Sequence, residues 1–175
     1  MAVWRDGGFV DDPWTTLADG DPVPPHGAIV VSAARWAAER DVLAVRRDPV
    51  GVSIVAGKDA VAQLQEAASR PLVVLNFAKF ADGRAFSYSE LLRERFGFEG
   101  ELRASGDVLL DEIPLMRRCG FDSFEIVNEP TLKALKRGHE PGVTLFYQPS
   151  VERDEAPAGT RPWLRRRMRQ PADPA

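Results

Sequence analysis

At 175 residues the chain has the usual size of one domain and enough length to bury a core without disulfides or metal staples. A net charge of -3 speaks against a general nucleic-acid or anionic-membrane binder, because those partners select a cationic surface. One cysteine, Cys119, excludes an internal disulfide, and with only His26 and His139 beside it no protein-built zinc or iron–sulfur centre is expected, and so no cofactor.

Residues 1–27 are rich in Gly, Pro and Asp and read as an irregular N-terminal arm, with Trp4, Phe9 and Trp14 as anchors packed on the domain. Asp6, Asp11 and Asp12 stand where a secretory leader would need a basic start, and no apolar run is long enough to span a bilayer, so the cytoplasm is the expected location. An α/β domain is predicted over 28–149. AIVVSA reads as a strand, ARWAAERD as a helix, GVSIVA as a second strand, and VAQLQEAASR as a helix capped by Asp59. LVVLNF is a continuous apolar run suited to a strand covered on both faces.

Ser87 and Glu90 stand at capping-box spacing and predict a helix start, with Gly97 as its stop and Arg93 and Arg95 on a solvated face. After the strand ELRAS, Asp107 is placed to cap VLLDEIPLMRRC, which Pro114 should kink or restart and Gly120 should end. SFEIV, a helix from Pro130 to Gly138, and VTLFYQ complete the alternation. About five or six strands separated by helices predict a mainly parallel sheet, either open and doubly wound or incomplete and barrel-like. Residues 150–175 read as a disordered basic tail, with Arg161, Arg165, Arg166, Arg167 and Arg169 around Trp163, Leu164 and Met168.

In a parallel sheet the loops after the strand carboxyl ends share one rim, where ligands bind. Lys79, Asp82, Gly83 and Arg84 follow LVVLNF, and Ser105, Gly106 and Asp107 follow ELRAS, so these residues, with Arg103, form a candidate anion-binding or interaction site. The alternative is that Arg84 pairs with Asp82 or Asp107 and that both acids only cap loops. Arg103 alternates with buried neighbours and needs a carboxylate, for which Glu101, Asp107 and Asp122 are at hand. Cys119, in line with Met116 and Ile113 near the end of a helix, is either a redox thiol or an apolar plug. Phosphate-binding GxxxxGK and dinucleotide GxGxxG runs are missing, and no catalytic set stands out.

The motifs DGRAFS, LLRERFGFEGELRASGDVL and RRCGF resemble those of a proteobacterial domain-of-unknown-function family encoded beside assimilatory sulfite reductase. The resemblance implies an auxiliary role in sulfate assimilation, with the sirohaem and iron–sulfur sulfite reductase or its electron donor as partner. It leaves open a small oxidoreductase or a module that binds a small oxyanion such as sulfite.

Overall fold

The computed structural model describes residues 2–77 and 83–139, together with the backbone of two short strands further on. Eight strands form one sheet: β1 (Ala2–Arg5), β2 (Gly8–Val10), β3 (Trp14–Thr16), β4 (Ala28–Ser32), β5 (Val50–Val55), β6 (Leu72–Phe77), β7 (Glu101–Gly106) and β8 (Ser123–Ile126). Their order is β2-β1-β8-β7-β6-β5-β4-β3, in which β3 to β8 run parallel, each beside its predecessor, while β1 pairs antiparallel with β2 and β8. Leu145–Phe146 and Arg166–Arg167 make a separate antiparallel pair, β9 and β10; the rest of the expected basic tail lies outside the described residues.

Consecutive parallel neighbours joined by right-handed crossovers put every helix on the same face of a sheet. The packing follows that rule. Trp36 of α1 (Ala33–Ala38), Leu43 of α2 (Arg40–Leu43), Leu64 of α3 (Ala60–Ala67), Leu92 after α4 (Arg84–Glu90), Met116 of α5 (Ile113–Arg118) and Leu135 of α6 (Glu129–Lys136) share one core with the strand residues Val31, Ile54, Leu75, Ala104 and Phe124. On the opposite face a small cluster of Val30, Leu72 and Val74 meets only Trp14. The barrel-like form of the expected architecture is therefore the one adopted, and the doubly wound form is not.

The irregular arm expected at 1–27 is instead three strands of the sheet, which raises the strand number above the five or six anticipated. Its aromatic anchors do pack: Trp4 is buried and stacks edge-on with Phe9 at 4.9 Å. The arm also dictates the curl of the sheet. β2 and β3 occupy opposite edges, yet only Asp11, Asp12 and Pro13 connect them. Eight flat strands would set these edges about 34 Å apart, whereas four Cα steps reach about 14 Å. The sheet must bend until its edges nearly meet.

Local signals were read with mixed success. Pro114 does not kink a helix, because α5 begins at Ile113 and the proline sits in its first turn, where no amide partner is lost. Asp107 caps nothing there; residues 107–112 form a turn. The Ser87–Glu90 capping box is not made either, since α4 starts three residues earlier and Ser87 is internal to it. Asp59 takes the N-cap position of α3 without a side-chain cap bond, while Asn128 caps α6 by accepting from the Thr131 amide.

Leu91–Arg95 continues α4 as a π turn, in which the Phe96 amide donates to the Leu91 carbonyl five residues back. Arg93, expected on a solvated face, turns inward and makes five hydrogen bonds: to the Phe98 and Gly100 carbonyls, twice to the Gly120 carbonyl, and to Asp122 at 2.5 Å. Asp122 also accepts from the Leu102 amide at 2.7 Å. This clasp ties the π turn to the segments that enter β7 and β8. Much of the sequence likeness in LLRERFGFEGELRASGDVL and RRCGF thus falls on residues that hold the floor of the sheet.

Gly106 ends β7 at φ 89°, and a Cβ placed there would lie 2.4 Å from the Phe77 carbonyl oxygen. Gly8 has neither constraint. Gly106→Ala is expected to cost about 3 kcal/mol or more from strain and the lost β6–β7 approach, whereas Gly8→Ala should change stability by less than about 0.5 kcal/mol. Urea unfolding midpoints of the two variants check this.

Candidate functional site

The carboxyl ends of β4 to β8 form one rim, and β6 and β7 end on it side by side, with Phe77 and Gly106 as register partners on adjacent parallel strands. Lys79 and Asp82 lie outside the described residues. Gly83 is the N-cap of α4 and Arg84 its first residue, both exposed. Ser105 is buried and accepts a hydrogen bond from the Asn76 amide nitrogen at 3.1 Å. The left-handed turn at Gly106 lets the Asp107 amide donate to the Phe77 carbonyl at 2.9 Å, which locks the exits of both strands together.

The exit of β7 is anionic. Glu112 accepts from the Leu109 amide at 3.4 Å, and its carboxyl titrates above the usual range because burial penalises its charge and Asp111 and Asp107 repel it. An anion approaching the β7 exit meets three carboxylates.

Arg103 is not part of an anion-binding rim. It lies in the middle of β7 on the face away from the helices, where its register partners are Val74 and Ser123. Its guanidinium grips both oxygens of Asp12, at 2.8 and 3.0 Å, and one oxygen of Glu101, at 2.9 and 3.2 Å. Glu101 in turn accepts from the Ser123 hydroxyl at 2.6 Å. Burial alone would lower the proton affinity of Arg103, but the hydrogen bonds to Asp12 and Glu101 outweigh it. Of the partners anticipated for Arg103, Glu101 is correct, and Asp122 pairs with Arg93 instead.

Asp12 was missed because it sits in a stretch whose composition reads as a loop. No local pattern reports that a residue ninety-one positions away along the chain will meet Arg103. Glu125 was missed too, although it shares the polar face of β8 with Ser123. It is held above the ordinary carboxyl range, first by burial and then by Asp12, with Arg103 opposing.

Cys119 belongs to the core. Its thiol donates to Glu90 at 3.6 Å, and burial together with the Glu90 carboxylate pushes its pKa up to about 12, against a smaller opposing pull from Arg118. That is the reverse of what activates a thiol. Among the described residues no group of three or more His, Cys, Asp or Glu is placed to hold a metal ion, and no helix is long and apolar enough to cross a membrane.

A family model described as a bacterial protein of unknown function, DUF934, matches residues 51–158, more than half of the chain. The chain belongs to this family. The match begins inside β5, so β1 to β4 lie outside it although they are strands of the same sheet. No match was found among curated proteins or among solved structures.

Two outcomes follow from these environments. The Cys119 thiol should resist disulfide reagents at pH 8 in the folded protein and react at once in denaturant, and Glu90→Gln should speed the folded-state reaction by removing a repelling charge, as absorbance of the released thiolate reports. For Glu125 and Glu112 the folded pKa exceeds the unfolded one, so their contribution is fully present below about pH 4.5 and is lost as pH rises through the folded value. Glu125→Gln should therefore flatten the fall in stability above pH 4.5, measured by urea titration at several pH values.

Proposed function

From membership of that bacterial family, we propose that the protein is a non-catalytic accessory of assimilatory sulfite reduction, acting in the cytoplasm with a sirohaem and iron–sulfur sulfite reductase or with its electron donor. The pathway rests on the resemblance carried by DGRAFS, LLRERFGFEGELRASGDVL and RRCGF. The accessory role rests on one observation: the reactive-looking side chains are spent on holding the fold. Arg103 is tied to Asp12 and Glu101, the Cys119 thiol is capped by Glu90, and Ser105 is bonded to Asn76. Side chains engaged in this way position a surface for a partner rather than attack a substrate.

An oxyanion-binding module has less support. Its cations would have to come from the turn after β6, through Lys79 and Arg84, against the carboxylates of Asp107, Asp111 and Glu112 at the neighbouring exit. Calorimetric titration with sulfite, comparing the wild type with Arg84→Ala, addresses that reading directly.

Deletion of the gene should abolish or slow growth on sulfate and on sulfite while leaving growth on sulfide normal, and a tagged copy should bring down a protein with sirohaem absorption or its electron donor. Complementation by Cys119→Ala should be complete. Normal growth of the deletion strain on sulfate and sulfite would remove the pathway assignment.

A further inference from the structure

The outer wall of the barrel carries a cleft of about 620 Å³ between the α1–α2 pair and α3, within the range of sites that hold a small ligand or a short peptide stretch. Its walls include Trp36, Arg40, Gln65, Glu66, Ser69 and Arg70. The Arg70 guanidinium lies 4.6 Å from the centre of the Trp36 ring and has the Ser69 hydroxyl as its side-chain acceptor, at 3.1 and 3.3 Å. Arg40 is paired with Glu66 at 2.7 Å, with both side chains close to half exposed. The indole N–H of Trp36 is buried and has no acceptor. The cleft thus carries two guanidinium groups and one acid, Glu66, which is paired with Arg40.

The surroundings are apolar as well as cationic. Val45 and Val61 are 81% and 45% exposed and are chain neighbours of the cleft residues Ala44 and Ala62. Exposed aliphatic groups beside a Trp and two Arg residues match the composition of protein-docking hot spots.

We propose that the cleft docks a short acidic segment of a partner protein, with an Asp or Glu carboxylate on Arg70 and Arg40 and neighbouring Leu, Ile or Val side chains over Val45 and Val61. The docking rests on charge complementarity, two guanidinium groups lining the cleft against one carboxylate. It does not depend on the sulfur-pathway reading, and the two stand or fall separately.

The test uses the full chain labelled with ¹⁵N, in which the Trp36 indole cross-peak is assigned through Trp36→Phe. Twelve-residue peptides built from Glu, Leu and Gly in varied order are titrated in, beside matched peptides with Gln for Glu. At least one Glu peptide should shift the Trp36 cross-peak and its Gln counterpart should not. Arg40→Gln and Arg70→Gln should each weaken that binding tenfold or more. Ala62→Glu, an exposed change on the cleft wall, should do the same without touching the core, and Arg5→Gln should have no effect. The proposal is overturned if no Glu peptide shifts the cross-peak, if Gln peptides act equally, if Ala62→Glu binds as the wild type does, or if inorganic phosphate alone reproduces the shift.

Discussion

The ion pair between Asp12 and Arg103 is the contact on which this architecture turns. Asp12 lies on the three-residue link between the two edge strands, and Arg103 lies in the middle of β7. Their two-point grip holds the link over the face of the sheet that carries no helices. Side-chain exposure there is 5% for Arg103 and 28% for Asp12, so water screens the pair poorly. Taking a guanidinium out of water is costly, and that cost is met only when its donors are satisfied, as they are by Asp12 and Glu101. The same face carries Ser53, Asn76, Ser105, Ser123 and Glu125, with Val30, Leu72, Val74 and Trp14 as its only apolar cluster. Its cohesion is therefore electrostatic to a degree unusual for a parallel sheet.

On the other face the arrangement is ordinary hydrophobic packing, reinforced at the floor by Arg93. That side chain replaces amide-to-amide bonding where three segments meet, accepting no hydrogen bond and donating five. A planar, permanently charged fork suits the task better than any neutral donor. Gly120, at φ 98° and with Arg93 Cγ 2.8 Å from where a Cβ would stand, is the space the side chain needs. The rim is held differently, by backbone bonds across Gly106 and by caps such as Asn128. Floor and rim together leave little freedom to the residues that looked chemically promising.

The fold was legible where periodicity and glycine punctuation reported it. LVVLNF, GVSIVA and ELRAS became β6, β5 and β7, and Gly97, Gly120 and Gly138 end their helices in the left-handed region. What stayed hidden was whatever depends on distant partners. β1 to β3 are short and joined by turn residues, and apart from the β1–β2 pairing they add to edges supplied elsewhere in the chain, so local composition reported a loop. Capping signals misled because Ser87 and Asp107 had plausible local roles that tertiary packing did not grant. At the site, the exits of β6 and β7 were placed correctly, but the fate of Arg103 depended on Asp12, and that of Cys119 on Glu90, which no spacing rule connects.

The pairing of β1 with β8 carries a kinetic consequence. Ala2 aligns with Ile126 and Arg5 with Ser123, so β1 meets its second neighbour only after six intervening strands and the helices between them have been placed. Until then β1 has only its hairpin partner β2, with Trp4 against Phe9, and closure must organise an almost complete crescent before it is rewarded. Such an ordering makes the last docking event slow, because its contacts are the most distant along the chain.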